Sequence, residues 1–176
     1  WFGNDDGNMV AYVPIYCSNT ERAECFNTPG ADAVTFSDKN AFWVCNWVSN
    51  MVYPRYSQLF PALKEVRDSL DNAFLAAQKG VEAKAEALYA TDKAAAVKYL
   101  NDYSIQKSNE MIARWRELAI HLIVKFNDMA VKPEKDGKFL RTSTGLGERV
   151  KRTGYSDYFK RELVKQTGDK FAVPNK

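Results

Sequence analysis

Met9-Val10-Ala11-Tyr12-Val13-Pro14-Ile15-Tyr16-Cys17 is a run with apolar side chains on both alternating faces. Such a run predicts a strand covered on both sides. Pro14 has no N–H to give to a ladder, so it marks an edge or a bulge. The preceding residues, Trp1-Phe2-Gly3-Asn4-Asp5-Asp6-Gly7-Asn8, place a polar turn between two apolar extended segments. The chain opens at Trp1 inside this pattern, which leads to the expectation that a front part of the sheet precedes it. Residues 22–26 read as a short partner strand, Asn27-Thr28-Pro29-Gly30 as a turn, and Ala33-Val34-Thr35-Phe36 as one more extended piece.

Beyond residue 36 the pattern turns helical. Ser37 is the expected cap, with Asp38 in the first turn where a carboxylate favours the positive end of the helix. Val44, Trp47, Val48, Met51 and Val52 follow helical spacing, and Pro54 ends or kinks the segment. Residues 58–78 continue with Leu59, Leu63, Val66 and Leu70 on one stripe, and Gly80 is expected to break the helix. Residues 81–89 read as a short helix. Thr91-Asp92 starts another that keeps Ala95, Tyr99, Tyr103, Met111, Trp115, Leu118, Leu122 and Phe126 on one face as far as residue 127. At 1.5 Å per residue it spans roughly 50 Å. Residues 132–154 are loop-like and carry four glycines. Ser156 caps a last helix over residues 157–166, and Gly168 stops it. The expected organisation is a β-rich part at 1–36, a helical region at 37–131, and a loop with a short C-terminal helix at 132–176, all within one structural unit.

With 25 Lys and Arg against 22 Asp and Glu, the net charge of +3 is too small to suggest a nucleic-acid binder. No apolar run is long enough for a transmembrane helix. The three cysteines are Cys17, Cys25 and Cys45, so at least one has no intrachain partner. Buried free thiols are the default; a Cys17–Cys25 disulfide across a polar turn is the alternative. Their spacing does not fit zinc.

Asn4, Asp5, Asp6 and Asn8 are the candidate binding residues. Carboxylates on a turn at a sheet edge can hold a substrate amine by charge-assisted hydrogen bonds. The same residue types also build an ordinary tight turn. His121 is the only histidine, set among aliphatic residues on a helix where a structural role is the rule. A His-based metal site and a Ser-His-Asp triad are therefore not expected. Cys45 beside Asn46 lies in an apolar stretch unsuited to a reactive thiolate. Thr144-Gly145-Leu146-Gly147-Glu148 lacks the Lys-Ser/Thr ending of a phosphate loop. Arg141, Arg149, Lys151 and Arg152 beside it are read as solvated or partner-facing.

Several segments taken together resemble a known family. They are Trp1-Phe2-Gly3-Asn4-Asp5-Asp6, Tyr12-Val13-Pro14-Ile15-Tyr16, Phe42-Trp43-Val44-Cys45-Asn46-Trp47-Val48-Ser49-Asn50 with Arg55-Tyr56-Ser57, and Val124-Lys125-Phe126-Asn127-Asp128. In this order they resemble the C-terminal half of bacterial dipeptidases of the N-terminal-nucleophile cysteine hydrolase type. The resemblance implies an α+β fold, with these residues as a sheet remnant of a four-layer αββα architecture followed by a mostly helical region. It implies dipeptide hydrolysis by a Cys that is the first residue of the mature enzyme and uses its own α-amine as base. Residue 1 here is Trp, so the nucleophile is expected upstream and this chain alone is expected to be inactive. The substrate is a dipeptide, whose free amine Asp5 and Asp6 would hold. No cofactor, metal, membrane span or nucleic acid is implied. The helices over residues 37–127 are expected to cover the sheet and to offer a homo-oligomer contact. A non-enzymatic helical interaction module is the competing class. Nucleic-acid binding through residues 141–152 ranks last.

Overall fold

The computed structural model describes residues 1–148, 151–152 and 154–171. The chain forms two compact units, Trp1–Ile123 and Val124–Lys176. Four α-helices are described: α1 (Ala41–Val52), α2 (Tyr56–Thr91), α3 (Lys93–Phe126) and α4 (Asp157–Thr167).

In the first unit, α1 begins one turn later than the sequence suggests. Its N-cap is Asn40, whose side chain accepts from the Phe42 N–H at 3.0 Å and donates to the Asn27 carbonyl at 3.0 Å. Ser37 instead closes a small turn by accepting from the Lys39 N–H at 3.3 Å. The buried face of α1 is Ala41, Val44, Cys45, Val48, Ser49 and Val52. Its end before Pro54 is as expected, with a single 3-10 turn at Tyr53–Arg55 leading into α2.

Helix α2 runs straight through Gly80, where the sequence predicts a break. Tertiary packing overrides one poor helix former: Leu59, Leu63, Leu70, Phe74, Val81 and Ala85 form a continuous buried stripe on both sides of it. A Cβ at Gly80 meets nothing within 4 Å. Gly80→Ala is therefore expected to stabilise the fold by roughly 0.5–1 kcal/mol. Denaturant unfolding would read this as a raised midpoint at unchanged slope, and a lowered midpoint would contradict the packing described here.

Asp92 alone separates α2 from α3. Its N–H closes α2 on the Leu88 carbonyl at 2.7 Å, and its carboxylate accepts from the Ala95 N–H at 3.0 Å to open α3. One residue thus serves as both caps. The two helices run antiparallel, because cross-helix contacts join early to late positions: Lys93 over Tyr89 at 5.1 Å, Lys84 over Tyr99 at 4.5 Å and Lys107 over Phe74 at 5.4 Å. The facing core holds Phe74, Met111 and Trp115, each at most 1% exposed.

Residues 1–36, expected to be β-rich, contain one antiparallel bridge, Phe2 with Val13, closed by two backbone hydrogen bonds of 2.9 Å. The run at 9–17 is buried at Met9, Val10, Ala11 and Val13 and open at Tyr12 and Ile15. Three consecutive buried residues do not alternate, and no regular strand forms there. The physical reason is local: the Tyr12 N–H is spent on the Asp71 carboxylate of α2 at 2.9 Å, and Pro14 has no N–H to offer. The expected strand at 22–26 is instead a 3-10 turn at Glu24–Phe26, and residues 33–36 turn rather than extend. Asn101 on α3 ties the segment down, accepting from the Thr20 N–H at 3.0 Å and donating to the Thr20 hydroxyl at 2.9 Å. All three cysteines are free: Cys17 is exposed, while Cys25 and Cys45 are buried.

Among its described residues the second unit carries four two-residue strands. β1 (Ala130–Val131) pairs antiparallel with β4 (Lys151–Arg152), and β2 (Glu134–Lys135) pairs with β3 (Lys138–Phe139). Residues 132–154 are thus not a plain loop. Asp136 and Gly137 both have positive φ, 52° and 72°, as a two-residue hairpin turn requires. The segment Thr142–Gly147 folds back on itself. Its backbone pairs Thr142 N–H with the Leu146 carbonyl at 2.8 Å, and Arg141 donates to the Gly145 carbonyl at 2.8 Å. Arg149 lies outside the described residues. Helix α4 is capped by the Ser156 hydroxyl, which accepts from the Phe159 N–H at 3.1 Å, and ends at Gly168 with φ 55°.

Candidate active-site segment

The turn at residues 4–8 is held by its own backbone and by α1. Asp6 closes it, with one carboxylate oxygen accepting from the Asn8 N–H at 2.9 Å and the backbone carbonyl accepting from the Met9 N–H at 2.9 Å. Gly7 lies under the Tyr12 hydroxyl, which a Cβ there would meet at 2.7 Å. The Asn8 carbonyl accepts from the Arg67 guanidinium of α2 at 2.8 Å. Of the four candidate residues, Asn8 is therefore fixed through its backbone, and Asn4 places a buried side-chain Nδ2 with no hydrogen-bond partner.

Asp5 reaches α1, and Asp6 reaches the 3-10 turn that follows it. The Ser49 hydroxyl donates to Asp5 Oδ2 at 2.8 Å, and Asn46 Nδ2 approaches Asp5 Oδ1 at 3.4 Å. Asn50 in turn donates to Asn46 Oδ1 at 3.0 Å, which fixes the orientation of that amide. The Tyr53 hydroxyl donates to Asp6 Oδ2. Asn46, Ser49 and Tyr53 thus join the site, beyond the four residues that the turn itself supplies. Their signal is a spacing of three and then four residues that runs from α1 into the turn after it. Asp5 adopts a left-handed backbone, φ 78°, which is uncommon for a residue with a Cβ.

Charge follows geometry. The Tyr53 hydroxyl, and then the Asn8 amide, hold the Asp6 carboxyl below its ordinary value, and the Asp6 carboxylate raises Tyr53. Because the folded-state value of Asp6 is depressed, its contribution to stability is present above the unfolded pKa. It is lost as pH falls through the folded value. Burial pushes the Cys25 thiol up to about 11. Burial, and then the Asp5 charge, raises Cys45 further. Buried and raised in this way, both thiols are poorly suited to act as nucleophiles. His121 lies half-buried on α3. Among the described residues no helix is long and apolar enough to cross a membrane.

Residues 1–69 match the model of Peptidase family C69. The matched span holds Asn4, Asp5, Asp6 and Asn8 as well as Asn46, Ser49 and Tyr53. Neither a curated protein nor a solved structure matches the chain.

Proposed function

We propose that the chain is the C-terminal portion of a cysteine dipeptidase of the N-terminal-nucleophile type. The match of residues 1–69 to a peptidase family carries this reading. In that mechanism the thiolate of an N-terminal Cys attacks the peptide carbonyl, the amine leaves with a proton, and water hydrolyses the thioester. Cys25 and Cys45 are buried, and no cysteine here bears the free α-amine that this chemistry uses as base. The nucleophile then belongs to a preceding segment, whose strands would extend the Phe2–Val13 pairing into the sheet of an αββα fold. The carboxylates at residues 4–8 would hold the free amine of the dipeptide beside it.

The test compares the full-length product of the native gene with the 176-residue chain on an unblocked dipeptide. The full-length protein is expected to turn the substrate over and the shorter chain to show none. Turnover by the purified shorter chain, or a full-length protein inert towards every dipeptide tried, would sink the reading.

A further inference from the structure

We infer that Asp5, not Asp6, takes the substrate ammonium, and that Ser49 is the positioning residue that aims it; the inference rests on the dipeptidase reading above. The two neighbouring carboxylates are not equivalent. Both oxygens of Asp6 are engaged in holding the turn, one by the Asn8 N–H at 2.9 Å and the other by the Tyr53 hydroxyl. Asp6 is a structural carboxylate.

Asp5 is exposed and differently held. Oδ2 receives the Ser49 hydroxyl at 2.8 Å, while Oδ1 meets the Asn46 amide only at 3.4 Å, a long contact that constrains little. Ser49 is 3% exposed, and its single proton has three acceptors within reach: the Asp5 carboxylate and the Cys45 and Asn46 carbonyls, both at 3.1 Å. The Asp5 carboxylate, at the shortest distance, wins. Ser49 thereby fixes one oxygen of Asp5 from the buried side and leaves the other for an incoming cation. Asp5 also stands in a left-handed backbone, φ 78°, a costly conformation of the kind that gathers at ligand sites.

The experiment uses the full-length gene product and reads kcat and KM for an unblocked dipeptide. It also reads the Ki of the des-amino analogue, which lacks the ammonium group. Ser49→Ala is expected to raise KM roughly tenfold, as expected for a lost hydrogen bond to a charged group. It should leave kcat within about twofold and the des-amino Ki unchanged, and Ser49→Thr should restore KM. Asp5→Asn is expected to raise KM by at least as much with the same selectivity. A Ser49→Ala variant that shifts KM and the des-amino Ki together reveals a purely structural role and overturns the inference, as does one that shifts neither. If Asp6→Asn raises KM and Asp5→Asn does not, the assignment is reversed while the dipeptidase reading stands. A wild-type protein without dipeptide turnover overturns both.

Discussion

Replacing Trp115 by Ala is expected to lower stability by about 3–5 kcal/mol, the largest effect of any single substitution considered for this chain. Trp115 is fully buried on α3, within the core that Phe74 and Met111 also fill. Truncation to Ala removes its apolar area and leaves a cavity that two long helices, packed side by side, cannot collapse without shifting along their length. Trp115→Phe is expected to cost less. It keeps an aromatic ring in the same place and removes an indole N–H that has no hydrogen-bond partner. Urea unfolding of both variants checks this. A loss below about 1 kcal/mol for Trp115→Ala would mean that the helical hairpin is not the main store of stability.

Asn101→Ala is expected to cost about 1–3 kcal/mol through a different mechanism. The Asn101 side chain is 3% exposed and is the sole described tether between α3 and the backbone of residues 20–21. Its carbonyl oxygen takes the N–H groups of Thr20 at 3.0 Å and Glu21 at 3.4 Å, and its amide reaches the Thr20 hydroxyl. Removing it takes away the partner that both N–H groups and the Thr20 hydroxyl have on α3. The specific signature is local: amide hydrogen exchange at Thr20 should accelerate more than exchange in the middle of α3. Uniform acceleration throughout the unit would contradict a local tether.

The helices were legible where local chemistry alone sets them. Pro54, the Thr91-Asp92 break, Ser156 and Gly168 each act through the backbone within a few residues, and each stands where the sequence places it. Gly80 misled because the stripe that carries α2 past it is a tertiary quantity. Ser37 misled because Asn40, three residues on, caps α1 while also bonding the Asn27 carbonyl across a turn. The apolar run at 9–17 predicted a strand from composition, whereas Asp71, which captures the Tyr12 N–H, is fifty-nine positions away. The site shows the same division. Residues 4–8 read correctly as a turn from their types. Their contacts with Ser49 and Tyr53 span more than forty residues and are invisible to any local pattern. What sequence did offer was Asn46 and Ser49, three residues apart inside the motif that carried the family resemblance, with Tyr53 four residues on.

The most direct test of the account is to trap the nucleophile. The full-length gene product is treated with a dipeptide-derived thiol-reactive probe, digested, and the labelled cysteine identified by mass spectrometry. The account predicts a single label on an N-terminal cysteine outside these 176 residues, blocked by dipeptide substrate. A substrate-protected label on Cys17, Cys25 or Cys45 would contradict it.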